Sequence, residues 1–388
     1  MELNRNPYLA VSQEDPSAFL RLALQAALAS GATDLKMQAD SHVLNLPFQP
    51  DSALPWGMEQ LEQVKEQLEG RSGLGLEPAY QKAAIACALT ACRPDLRLKL
   101  SVPGVGKCLE VDEQGFRWGN ADPPPQACCF AFSRHGERPG AEPGNALLDF
   151  FSAPLARPWP ELFDLKDLLF DSPTKVSVNG TALGKLTLDP QEDLEPESIE
   201  LFRLAIVHPD RRLNNLKVIA QTRTIAHSRS VIEAVLHPLI FACVTPEGEP
   251  VNTTPGSTVR AWAALTLHEE PLQYNQPDGA YGAHHWEIDH ILRILQYGIS
   301  VARTRTGVSP RTRVILDGSE LETDLAGRNV VDLAAVTQKV LGVKSLYQLA
   351  CRIWQRELDH PKGGWENLKL GLHRSVLKEF EATLPTLG

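Results

Sequence analysis

Hydrophobic and polar positions first give an unambiguous pattern at residues 15–31. Asp15 is suited to capping a helix, Pro16 to its first position, an apolar run from Phe19 to Leu28 follows, and Gly31 can close the last turn. This predicts a helix over about 16–30. Leu20, Leu22, Leu24 and Leu28, set among alanines, leave it apolar around most of its circumference, as expected of a helix packed on a sheet. Beyond Gly31, Leu35 and Met37 alternate with polar residues, the period of a strand. Met58, Leu61, Val64, Lys65 and Leu68 fall on helical spacing between Pro55 and Gly70, and Ala83, Ala84, Ala88, Leu89 and Cys92 do so between Pro78 and Cys92. Leu96–Ser101 then reads as a period-two strand, with shorter strand-like stretches near 108–111, 115–118 and 127–133. Helices followed by an antiparallel meander are an α+β pattern.

Farther along, helical material is expected around 143–171, and 175–188 reads as a hairpin on the Asn179-Gly180 turn. The acidic, proline-containing stretch Glu192–Ser198 is the best linker candidate, which places a boundary near 190. Strand-type runs follow at 199–207, 215–223, 257–267 and 312–317, the last leading to a turn at Asp317-Gly318 and a polar loop. From 331 the period returns to helical, through Val331, Leu333, Val336 and Val340, then Leu346, Leu349 and Ile353. The chain is therefore divided into 1–190, 191–330 and 331–388. Tyr347, Trp354, Trp365 and Leu372 in the last part suggest docking on a protein partner or a homodimer.

Composition narrows the classes. With 388 residues, 43% apolar and 22% charged, the chain is long enough for two or three domains with real cores, and neither disordered nor a disulfide scaffold. Lys and Arg total 38 against 48 Asp and Glu, a net charge of -10, so nucleic acid is not the expected partner. No apolar run is long enough to span a bilayer, and Met1–Pro7 lacks a basic stretch leading into an apolar one; a soluble, cytoplasmic protein is expected. The seven cysteines show no C-x-x-C spacing, which fits free thiols.

Two clusters carry candidate chemistry. His284, His285, Glu287, Asp289 and His290 gather three imidazoles and two carboxylates in seven residues. On a helix, His285 and Asp289 would share a face and Glu287 would neighbour both His284 and His290, which is the basis for a metal-dependent enzyme as an alternative function. The competing reading is a helix start leading into Ile291, Leu292 and Leu295. Arg303, Arg305, Arg311 and Arg313 could pair with phosphate or an acidic surface, or protect a hairpin edge. A pure protein-interaction module is the third class.

Four segments, in order, resemble the ATP-binding domain of the GHKL superfamily, named for gyrase, the ninety-kilodalton heat-shock chaperone, histidine kinases and MutL. Leu24–Met37 resembles the family's first helix running through Asp-Ala-Gly-Ala-Thr into its first core strand. Asp51–Met58 resembles the Asp-x-Gly-x-Gly-Met loop, Gly70–Leu76 the second glycine box, and Lys175–Leu183 the Pro-Val-x-Val-x-Gly strand of chaperone and MutL relatives. The resemblance implies an N-terminal α/β sandwich, with helices on one face of a mixed, mainly antiparallel sheet. A second, transducer-like α+β domain and a helical C-terminal tail follow. It implies ATP or ADP as a weak ligand, with Asp51 and Gly57 at the adenine and Gly70, Gly73 and Gly75 at the phosphates. Asp51 is equally suited to capping a helix, and the glycines to ending one. Counting back from Gly31, the family's catalytic Glu, magnesium-binding Asn and Asp fall on Leu22, Ala26 and Ala29. Hydrocarbon neither orients water nor ligates a hard cation, so no metal and no conventional hydrolysis are expected. The implied function is a chaperone-like, nucleotide-sensing or pseudo-ATPase scaffold that regulates a partner protein.

Overall fold

The computed structural model describes residues 6–134 apart from 33, 53, 72–75 and 122. It then describes 159–169, 175–183, 200–207, 216–223, 229–236, 263–268, 273–277, 284–288, 291–305, 312–318, 321–337 and 367–383, with scattered helical residues between 348 and 359. From 200 to 292 the description is of the backbone. The chain forms two compact units. The first holds Met1–Leu186 with two later pieces, Tyr297–Ile299 and Thr323–Asn329; the second holds the remainder.

In the first unit the order is α1 (Asn6–Glu14), α2 (Ala18–Ala29), β1 (Asp34–Ala39), β2 (Val43–Phe48), α3 (Met58–Leu68), α4 (Pro78–Ala91), β3 (Leu96–Ser101), β4 (Lys107–Asp112), β5 (Gly115–Asn120), β6 (Cys128–Arg134), α5 (Glu161–Leu169), β7 (Lys175–Val178) and β8 (Thr181–Ala182). The sheet runs β5-β4-β3-β6-β2-β1-β7-β8. Its ladders are antiparallel except β1 with β7, where Leu35 pairs with Val176 and Met37 with Val178. Strict alternation makes one face apolar: Leu35 and Met37, Leu44, Leu46 and Phe48, Leu96, Leu98 and Leu100, and Phe130 and Phe132 are all buried. Asp34, Lys36 and Gln38 on the alternate positions of β1 are exposed. Each buried Leu or Phe is worth about 1.5–3 kcal/mol, which fixes the register because a one-residue slip would reverse every side chain.

Helices α2 and α4 pack together in this core, and all twelve residues of α2 are buried. The fold is thus α+β, with a mixed, mainly antiparallel sheet, as the chain's pattern leads one to expect. Strand β2 is an addition to that pattern: Pro47 argues against a central strand, yet β2 lies between β6 and β1. It is tolerated because β1 pairs with β2 only through Leu44 and Asn45, so Pro47 need not donate to that ladder. Helix α5 is tied to the sheet by charge. Arg134 pairs with Glu161 and lies 4.8 Å from the centre of the Trp159 ring, whose Nε1 donates to Asp40 O at 2.9 Å.

The second unit contains a seven-stranded sheet in the order β11-β10-β9-β12-β17-β15-β16. Its strands are β9 (Glu200–Val207), β10 (Leu216–Arg223), β11 (Arg229–Leu236), β12 (Ala263–His268), β15 (Ile291–Gln296), β16 (Ile299–Arg305) and β17 (Thr312–Asp317). Strand β15 pairs with β17 in parallel, whereas β10 with β11, β9 with β10, β9 with β12 and β12 with β17 are antiparallel. A separate ribbon joins β13 (Gln273–Pro277) to β14 (His284–Ile288). Ile294, Val301, Leu321 and Val330 form a small buried cluster, and α6 (Asn367–Thr383) closes the described chain. The expected helical stretch at 143–158, the linker at 192–198 and the strand residues 257–262 lie outside the described residues.

Candidate functional site

A helix with no exposed face has no solvent for its polar side chains, so each must find a partner inside the protein. Helix α2 carries two, Arg21 and Gln25, one turn apart and both buried. Lys82 on α4 is buried as well. All three meet the returning piece Thr323–Asn329. Arg21 donates from Nε and one terminal nitrogen to Ala326 O, at 2.9 and 2.8 Å. Gln25 Nε2 donates to Gly327 O at 3.1 Å, and Lys82 Nζ to Thr323 Oγ1 at 3.2 Å. At the N-terminal end of α2, Asp15 forms an ion pair with Arg21 and accepts from Ser17 Oγ at 2.7 Å.

The electrostatics follow from burial. Burial alone would raise the Asp15 carboxyl, but the Arg21 charge, hydrogen bonds from Ser17 and Arg21, and the Arg328 charge outweigh it and hold the group below its ordinary value. Burial lowers the Lys82 ammonium to about 8; Asp324 opposes that fall and the nearby Arg21 adds to it.

Thr323–Asn329 is in close contact with α2. A Cβ built on Gly327 would stand 2.5 Å from Gln25 Oε1 and 2.9 Å from Leu22 Cδ2, and the residue has a φ of +65°, so both space and backbone call for glycine. Leu22 and Ala26 are fully buried and Ala29 nearly so. These three positions bring no side-chain oxygen or nitrogen to α2, and the Gly327 backbone lies against Leu22.

Of the other residues singled out from sequence, Asp51, Gly57 and Gly70 lie on either side of helix α3 along the chain. Asp51 is half-buried; its N–H donates to Ser30 O at 2.8 Å and its carbonyl accepts from Leu54 N at 2.9 Å. Gly57 precedes α3, and its N–H donates to Gln60 Oε1 at 3.0 Å. Between them Trp56 turns inward, donating to Ser30 Oγ at 2.8 Å and packing edge-on to Phe48 and Tyr80, with ring centres 5.6 and 5.0 Å away. Gly70 follows α3 with a φ of +68°, its N–H donating to Gln67 O at 3.1 Å. Gly73 and Gly75 lie outside the described residues.

The histidine cluster requires a correction. His284–Ile288 is strand β14, paired with β13 through Tyr274–Glu287 and Gln276–His285, rather than a helix. Period two puts His284 and Trp286 on one face and His285 and Glu287 on the other, so the helical pairing of His284 with Glu287 does not form. Asp289 and His290 lie outside the described residues. Ile291, Leu292 and Leu295 belong to strand β15 instead of a helix. Among the described residues, no group of three or more His, Cys, Asp or Glu side chains is placed to hold a metal, and no helix is long and apolar enough to cross a membrane.

No protein-family model matches the sequence, and no curated protein matches it. Among solved structures, the chain is similar to the ATPase domain of the mismatch repair endonuclease MutL from Aquifex aeolicus, at 10% identity over 78% of this chain and 89% of that one, with a TM-score of 0.32. It is also similar to the B-subunit of DNA gyrase from Myxococcus xanthus, at 11% identity over 89% and 95%, TM-score 0.41. A third is the N-terminal domain of a DNA repair protein, at 8% identity over 92% and 99%, TM-score 0.36.

Proposed function

We propose that the chain is a GHKL-like scaffold of chaperone-type layout, which regulates a partner protein and does not hydrolyse ATP by the family's mechanism. Residues 1–190 are read as a pseudo-ATPase domain, 191–330 as a transducer-like domain, and 331–388 as a helical region serving a partner or a second copy. The observation that carries this reading is on α2. The positions to which the resemblance assigns the catalytic Glu and the magnesium-binding Asn are Leu22 and Ala26, both buried, with the backbone of Gly327 laid against Leu22.

The chemistry follows from what is missing and what replaces it. Hydrolysis needs a base to orient water and a cation to offset the charge developing on the phosphates. Leu22 and Ala26 provide neither. Arg21, Gln25 and Lys82 are nitrogen donors, but their hydrogens are directed to Ala326 O, Gly327 O and Thr323 Oγ1. ATP or ADP is then at most a weak ligand, held through the Asp51–Gly57 and Gly70–Gly75 loops without a metal ligand on α2. Steady-state phosphate release from ATP and magnesium by the full chain tests this: the expected rate equals that of buffer, whereas saturable, magnesium-dependent turnover would remove the proposal.

A further inference from the structure

The polar contacts around Thr323–Asn329 divide into two sets. One set is internal. Gly327 N–H donates to Asp324 O at 2.8 Å, Arg328 N–H to Asp324 Oδ1 at 2.9 Å, Asn329 Nδ2 to Asp324 Oδ2 at 2.8 Å, and Asp324 N–H to Asn329 O at 2.9 Å. Asp324 thus closes the loop on itself, and Gly327 supplies the left-handed residue that the turn requires. The other set is external: Ala326 O, Gly327 O and Thr323 Oγ1 accept from Arg21, Gln25 and Lys82, and Arg328 forms a longer ion pair with Asp15 at 3.8 Å.

Little apolar surface holds the loop down. Leu325, its largest apolar side chain, is 38% exposed. Hydrogen bonds between a loop and a protein face exchange for hydrogen bonds to water at small net cost, whereas apolar burial does not. The docked arrangement also carries a penalty of its own, since the buried Gln25 Oε1 has no hydrogen-bond partner among the described residues. The helices that receive the loop are held independently, α2 and α4 packing on each other and on the sheet.

We propose that Thr323–Asn329 is a releasable latch, a preformed loop that closes over the Arg21, Gln25 and Lys82 donors and leaves them without unfolding itself or the helices. Release uncovers a cluster of nitrogen donors on an apolar helix pair, while Asp324 keeps the loop in its turn. This inference rests on the contacts alone and stands whether or not the chain binds nucleotide.

Lys82 reports the latch, because its amine is shielded when the loop is docked. The full chain is treated at pH 8 with N-hydroxysuccinimide acetate in graded sub-denaturing guanidinium. Lys82 acetylation is followed by mass spectrometry beside deuterium exchange of the α2 amides. The latch predicts that Lys82 acetylates at least tenfold faster than the opening rate of the slowest α2 amides permits, with a weaker dependence on guanidinium. Labelling that tracks α2 opening in rate and denaturant dependence overturns it. Gly327→Ala, whose Cβ would meet Gln25 and Leu22, gives the second arm: at least tenfold faster labelling than wild type with α2 protection retained is expected. Unchanged Lys82 labelling, or α2 protection lost together with it, contradicts the latch.

Discussion

Lys82 sits in an alanine-rich helix and is buried near Arg21, an arrangement that disfavours its charge. Its folded pKa is near 8 against an ordinary 10.5, with burial the main cause. Because the folded form binds its proton less tightly than the unfolded chain, the penalty is fully present below pH 8. It is relieved as the pH rises toward 10.5, a change on the order of 3 kcal/mol in total. The buried thiols of Cys87 and Cys128, pushed up to about 12, act oppositely: stability present below the ordinary thiol value of 9 is lost at higher pH. Urea unfolding between pH 8 and 9 isolates the lysine. Wild type should gain about 1 kcal/mol relative to Lys82→Met across that interval, and parallel curves for the two proteins would show that Lys82 is not charged against its environment. The sequence held a signal for this site that the apolar pattern obscures. A helix apolar all round that carries Arg21 and Gln25 four residues apart has placed one polar stripe where no water can reach.

Among the elements, those with written ends were the legible ones. Pro16 and Gly31 bracket α2, Pro78 and Cys92 bracket α4, and the Asn179-Gly180 pair marks the turn from β7 to β8. That turn has a second role. Asn179 adopts a φ of 47°, and its amide bridges the end of β1, accepting from Ala39 N at 2.9 Å and donating to Ala39 O at 2.7 Å. Asn179→Ala loses both bonds and keeps the strained backbone, so it should cost about 2 kcal/mol in urea unfolding. Asn179→Gly, which relieves the backbone, should cost less. Equal losses in the two variants would mean that the positive φ carries no penalty. Elements without punctuation were harder to read. Strand β2 hides behind Pro47, and in the five residues His284–Ile288 a period of 2 and one of 3.6 fit equally well until pairing with β13 decides between them.

At the scale of the whole molecule, the α+β class follows from the order of periodicities, but the candidate site does not. Arg21 and Ala326 are 305 positions apart, and the polar loop after β17 reads only as a turn. What joins them is the return of Thr323–Asn329 into the first unit, which no local pattern encodes. The same return bears on function, because it places backbone against Leu22, where the GHKL resemblance would have a catalytic carboxylate. The most direct measurement is isothermal titration of the full chain with ATP, with and without magnesium. A scaffold with hydrocarbon at Leu22 and Ala26 gives either no heat or a binding constant in the millimolar range, about -4 kcal/mol, unchanged by magnesium. Micromolar binding that disappears when magnesium is chelated would contradict it.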